Sequence, residues 1–169
     1  MIDLITGETA ATQGTGAELK SLTRSELFAG AWQGDGLHIL TPGEFDPDEG
    51  LLPVLTPTRS ADPPILAAEL VALPLRGLRL AVLSATGGAL TTKAGYGFSW
   101  ALLAGGASAA VSSRWAVNGE SNAQWMRVFY REVGGGVPVA VAAAMATREL
   151  RKSGLTHPFY WAVMQVSGR

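Results

Sequence analysis

The chain has 169 residues, of which 47% are hydrophobic and 16% charged, with a formal net charge of -1. That length supports one sizeable core and that composition excludes an intrinsically disordered chain, while the near-zero charge gives no ground for a nucleic-acid or anionic-membrane partner. The absence of cysteine excludes disulfides, thiolate metal sites and a cysteine nucleophile, and two histidines alone give no basis for a metal or cofactor site.

The opening "MIDLITGETA" has neither a basic start nor a long apolar run, so no secretory signal is read there. No stretch approaches the ~18 consecutive apolar residues of a membrane span. The expected location is cytoplasmic. "GAELKSLTRSELFAGAW" sets Leu19, Leu22, Leu27, Phe28 and Trp32 at roughly helical spacing, which predicts one early amphipathic helix. "GLHIL" reads as a short buried strand ending near Thr41 and Pro42. "PGEFDPDEGLLPVLTPTRSADPP" reads as a long loop, and "ILAAELVAL" as a short helix closed by Pro74.

"LRLAVLSATGG" reads as a buried strand that breaks into a glycine turn after Ser84, Ala85 and Thr86. "GYGFSWALLAGG" has the small-residue content of a packed helix with a glycine stop, and "ASAAVSSRW" that of a third buried strand. The clearest helix carries Asn122, Trp125, Met126, Phe129, Tyr130 and Val133 on one stripe and stops at Gly134 to Gly136. That stripe is read as core. "PVAVAAAMATRELRK" predicts a further helix, with Pro138 in its first turn and basic residues at its end, and "FYWAVMQV" a final strand. Strands alternating with helices predict a mostly parallel sheet covered on both faces, within a single domain over residues 1–169.

"LHILTPGEFDPDEG", "LRLAVLSATGG", "LLAGGASAAVSSRWAVN", "WMRVFYREV" and "HPFYWAVMQVSG" follow the order and spacing of the CHAT domain, and from about Gly7 to Gly168 the chain resembles that bacterial caspase-like module. The resemblance implies a three-layer caspase-like sandwich and descent from a cysteine-peptidase fold of the clan that includes caspases and separase. In that family a His and a Cys stand at the ends of adjacent strands, where the imidazole draws off the thiol proton. The family's His-x-x-x-His-Gly, with its second His as base, aligns with His38, Ile39, Leu40, Thr41, Pro42 and Gly43. Its Leu-Ser-Ala-Cys aligns with Leu83, Ser84, Ala85 and Thr86. The base position is thus Pro42 and the nucleophile position Thr86, so no catalytic residue is assigned. Proline does not titrate, and a threonine hydroxyl without a base is a poor nucleophile at neutral pH.

His38 does not replace the lost base. On a strand rising ~3.3 Å per residue it lies about 13 Å upstream of Pro42, on the same side but deep in the sheet, and it is read as a buried structural histidine. His157, before the last strand, is read as ordering a turn. Where the family often has Trp-Pro-Val-Asp-Asp this chain has Trp115, Ala116, Val117, Asn118 and Gly119, which removes an acidic pair from the border of the groove. Asp46, Asp48 and Glu49 are read as solvated surface.

The resemblance also implies that an interior strand is missing, because family members carry another strand and helix before the region matching "LITGETAAT". Three arrangements follow: the flanking strands close up, another chain supplies the strand, or the chain is a remnant of a longer protein. The function expected is that of a catalytically inactive CHAT-like module that binds a protein or peptide segment. Its cleft would be formed by Thr41, Gly43, Ser84, Thr86, Gly87, Trp115 and Asn118. The alternatives are an active hydrolase using Thr86 or Ser84, and a small-ligand binder using Gly87, Gly88, Gly95 and Gly97. Without a phosphate-binding lysine, packing explains those glycines better.

Overall fold

A computed structural model of the chain describes residues 2–6, 18–20, 24–30, 35–45, 53–55, 63, 65–86 and 92–168. The central strands are β1 (Ile2–Thr6), β2 (Glu18–Lys20), β3 (Gly36–Phe45), β6 (Leu80–Thr86), β7 (Ala109–Ser113) and β8 (Met164–Gly168), with β4 (Pro53–Leu55) and β5 (Ile65–Leu66) at the side of β3. Their order across the sheet is β2-β1-β3-β6-β7-β8. All neighbours in that order are parallel except β8, which runs antiparallel to β7. The helices are α1 (Arg24–Phe28), α2 (Thr92–Ala104), α3 (Gly119–Gly134), α4 (Val139–Lys152) and α5 (Pro158–Trp161), with a 3-10 helix at Ala67–Ala72.

Strand alternation divides the core into two layers. Leu37, Ile39, Ala81, Leu83 and Ala110 pack against Leu27 of α1, Leu70 of the 3-10 helix and Phe98, Ala101 and Leu102 of α2. The intervening residues Leu80, Val82, Ala109 and Val111 face Trp125, Met126 and Phe129 of α3 and Ala142, Ala146 and Leu150 of α4. This is the expected α/β sandwich, a mostly parallel sheet with helices on both faces. Each large apolar side chain fully buried here contributes roughly 1.5–3 kcal/mol relative to exposure.

The stripe on α3 is the best example of pattern becoming packing. Asn122, Trp125, Met126, Phe129 and Tyr130 are all buried. Trp125 stacks on Phe129 at 4.8 Å and donates its indole N–H to Thr147 of α4 at 3.0 Å. The helix ends where the glycines begin, with Gly136 in the left-handed region at φ +84°.

Four expectations are corrected. The early helix is shorter than its spacing predicts: Glu18–Lys20 is a strand, because it pairs in parallel with β1, and only Arg24–Phe28 is helical. Leu22 and Trp32 lie outside the described residues. The strand expected to end near Pro42 continues to Phe45. Pro42 falls between the last β1 pair, at Leu40, and the first β4 pair, at Gly43, so its missing N–H interrupts neither ladder.

The long loop carries β4, paired antiparallel with the end of β3, and β5 pairs in turn with β4, so Ile65 and Leu66 belong to a strand and only the residues after them to a helical turn. Asp46, Asp48 and Glu49 lie outside the described residues. The final strand begins only at Met164, because Pro158–Trp161 forms a helical turn whose first free N–H, that of Phe159, is capped by Nδ1 of His157 at 3.1 Å.

β1 pairs directly with β3, from Ile2 opposite Gly36 to Thr6 opposite Leu40. The flanking strands are thus closed up against each other in this structure. No described helix is long and apolar enough to cross a membrane.

Candidate functional site

In an open parallel sheet, reactive groups are presented beyond the carboxyl ends of the strands. That end is defined here by β3 and β6, whose register runs from Gly36 opposite Leu80 to Pro42 opposite Thr86. The two positions at which the resemblance sets a base and a nucleophile are therefore direct neighbours across one parallel pair. Thr41 and Gly43 flank this point on β3, and Gly87 lies outside the described residues.

Two pairs below this end lies a hydrogen-bonded chain of side chains. His38 Nε2 and Ser84 Oγ are 3.0 Å apart, and the Tyr130 hydroxyl lies 2.8 Å from His38 Nδ1. His38 and Ser84 have no solvent exposure and Tyr130 only 4%. Burial in this apolar layer drives the His38 pKa down to about 3 and that of Tyr130 above its ordinary value. The imidazole is thus neutral at physiological pH, with one nitrogen donating and the other accepting, and the flanking hydroxyls complete both bonds.

This sequence of hydroxyl, imidazole and phenol has the connectivity of a nucleophile, a base and an orienting group. Its position deprives it of that chemistry. Ser84 opens to no surface that a substrate carbonyl could approach, and an imidazole with so low a pKa is a weak base at neutral pH. Ser84, expected in the cleft, is instead an interior residue: even-numbered positions of β6 face the α3 layer, and Ser84 is fully buried there.

Two other expected cleft residues have structural partners. Asn118 caps α3, its side-chain oxygen accepting the N–H of Ser121 at 3.1 Å. Trp115 donates its indole N–H to the carbonyl of Phe159 at 3.0 Å and stacks on that ring at 6.5 Å. The segments "RW" and "HPFYW", far apart in sequence, thus meet beside the carboxyl end of β7.

Another buried polar group joins α2, β7 and β8. Ser99 and Ser112 share a 2.6 Å hydrogen bond, and the Gln165 amide donates to both, at 3.1 and 3.2 Å. These bonds tie the antiparallel edge strand to the parallel body. Among the described residues no cluster of His, Asp or Glu could hold a metal ion.

Asn122, part of the core stripe of α3, is 2% exposed, and its Oδ1 has no hydrogen-bond partner.

The family model of the CHAT domain matches residues 5–169. No curated protein matches the chain significantly. With the parallel α/β frame and a family match over nearly its whole length, the chain belongs to the CHAT-domain family, a group related to the caspase-like peptidases.

Proposed function

We propose that this CHAT domain has lost peptidase chemistry and holds an extended protein segment at the carboxyl ends of β3 and β6. The observation that carries the reading is the pairing of Pro42 with Thr86 where the resemblance sets base and nucleophile. The frame that opposes two positions is kept, and Pro42 has no group to take the proton of the Thr86 hydroxyl. A frame of this kind, freed from catalysis, still offers the strand ends and flanking helix against which an extended chain binds.

The expected strand-supplying partner is not part of this reading, since β1 and β3 already satisfy each other. The hydrolase reading has one observation in its favour, the Ser84–His38 contact, and complete burial of both groups weighs against it.

A random peptide library displayed on phage, selected against the purified protein, tests the proposal. Recovery of a consistent sequence that binds and emerges intact by mass spectrometry is expected. Cleavage of a selected peptide that disappears in Thr86→Ala or Ser84→Ala would overturn it, as would labelling of either hydroxyl by a fluorophosphonate.

A further inference from the structure

On the side turned away from the sheet, α4 carries a second apolar stripe. Its inner side buries Ala142, Ala143, Ala146 and Leu150, while Val141 and Met145, at i and i+4, are 50% and 40% exposed. Ala144 between them is exposed as well.

The flanks of this stripe are cationic. α3 and α4 are joined by residues 135–138 and pack as an antiparallel pair, with Trp125 bonded to Thr147. Counted from that bond toward the connection, Arg127 and Met145 each lie two residues away, and Arg131 and Val141 each lie six. At ~1.5 Å per residue on both helices, the members of each pair stand at matching heights. Arg148 follows Met145 by three residues on the same stripe, and all three arginines are exposed. Glu132 pairs with Arg131 and Glu149 with Lys152, whereas Arg127 and Arg148 have no acidic partner among the described residues. The cations are not a property of the whole chain: residues 1–91 carry eleven Asp and Glu against five Lys and Arg, and residues 92–169 three against eight.

We propose that the outer face of α3 and α4 docks an acidic amphipathic helix of another protein. Its apolar stripe would cover Val141 and Met145, and its carboxylates would meet Arg127 and Arg148. A second copy of this chain fits the face poorly, because a two-fold contact through α4 sets Arg127 and Arg148 against the same cations. An anionic bilayer fits it poorly too, since two large apolar side chains without an aromatic anchor are too few to enter the headgroup region. The face points away from the sheet, so the proposal stands whether or not a peptide is held at the ends of β3 and β6.

The test is a displayed library of helices of about 18 residues, five turns long. Leucine is fixed at i, i+4, i+7 and i+11, the flanking positions are randomised among Glu, Lys, Gln and Ala, and the library is selected against the purified protein. Binders rich in Glu are expected, with an affinity that weakens as salt rises. Met145→Asp and the double variant Arg127→Glu/Arg148→Glu should each weaken them at least about tenfold. Exchanging Glu for Lys in a selected helix should restore its binding to the double variant, a rescue that a misfolded protein cannot give.

Binders without a Glu bias, binders that hold the double variant as well as wild type, or no binders at all would overturn the proposal. Dimers that form with rising concentration and that Met145→Asp dissolves would overturn it in favour of a second copy. Vesicles of phosphatidylcholine and phosphatidylserine that bind wild type and not the double variant would overturn it in favour of a lipid surface.

Discussion

Tyr130 and His38 lie 92 residues apart in sequence and 2.8 Å apart in the structure, joined by a hydrogen bond that crosses from α3 to β3 inside the core. Because Ser84 holds the opposite ring nitrogen, one neutral imidazole links two strands and a helix. His38 and Ser84 lie four and two residues before Pro42 and Thr86 on the same two strands. A histidine inherited at this place thus has a structural task that does not depend on peptidase chemistry.

This arrangement makes stability depend on pH. His38 has a folded pKa of about 3 against an ordinary 6.5, so the unfolded chain takes up a proton that the folded chain refuses. Stability is full above the ordinary value and falls as pH drops through the window between 6.5 and 3, by up to about 1.4 kcal/mol per unit. The carboxylate of Glu69, held low by its bond to Arg24, adds a loss in the same direction only below its ordinary 4.5. Urea melts between pH 5 and 6.5 therefore isolate the histidine. Wild type should weaken across that range and His38→Gln should be nearly flat.

Removing all three members of the chain together should cost less than the single removals added up. Tyr130→Phe leaves His38 Nδ1 buried without a partner, and Ser84→Ala does the same to Nε2, each at about 1–3 kcal/mol. In His38→Leu/Tyr130→Phe/Ser84→Ala no polar group is left stranded, so its loss should fall well below the sum of the single losses. Additive losses in chemical denaturation would mean that the three groups act independently.

The sequence made the layers legible because β3, β6 and β7 are short, largely apolar runs buried on both faces, while α3 buries one strong stripe. It misplaced Glu18–Lys20, whose leucine spacing suits a helix but whose backbone completes the sheet beside β1. Here tertiary pairing overrides local pattern. Pro42 looked like a strand end, since nothing local shows that it falls between two ladders. The polar contacts were the least legible: His38, Ser84 and Tyr130 are unremarkable residues separately, and only the fold makes them partners. Asn118 and Trp115 likewise have partners that no local pattern shows, a helix cap and an indole–carbonyl bond.

Gly106 should tolerate no side chain. It follows α2 with φ +113°, and a Cβ there would stand 3.0 Å from the backbone nitrogen of Arg76 and 3.1 Å from its Cα. Backbone of the neighbouring segment cannot move as a flexible side chain can. Gly106→Ala should therefore lower stability by more than the ~1 kcal/mol of left-handed strain alone. Gly136, also at positive φ but with nothing within 4 Å, supplies the control. Gly136→Ala should show strain without the clash and melt higher than Gly106→Ala.

The kept register can be tested by restoring what the resemblance says was lost. Partners in adjacent parallel strands stand ~4.8 Å apart, so Pro42→His and Thr86→Cys introduce an imidazole and a thiol on directly opposed residues. An imidazolium next to a thiol favours the thiolate and lowers its pKa below the ordinary ~8.5. Iodoacetamide alkylation of the double variant should therefore rise at lower pH than that of Thr86→Cys alone, and should be faster at pH 7. The proline site takes histidine without loss of a ladder bond, because proline donates none there: it lies between the ladders to β1 and β4 and at the last pair of the ladder to β6. Identical pH profiles for the two variants would mean that the opposed backbones no longer bring their side chains together. Their separation would show that the catalytic frame outlasted its catalytic residues.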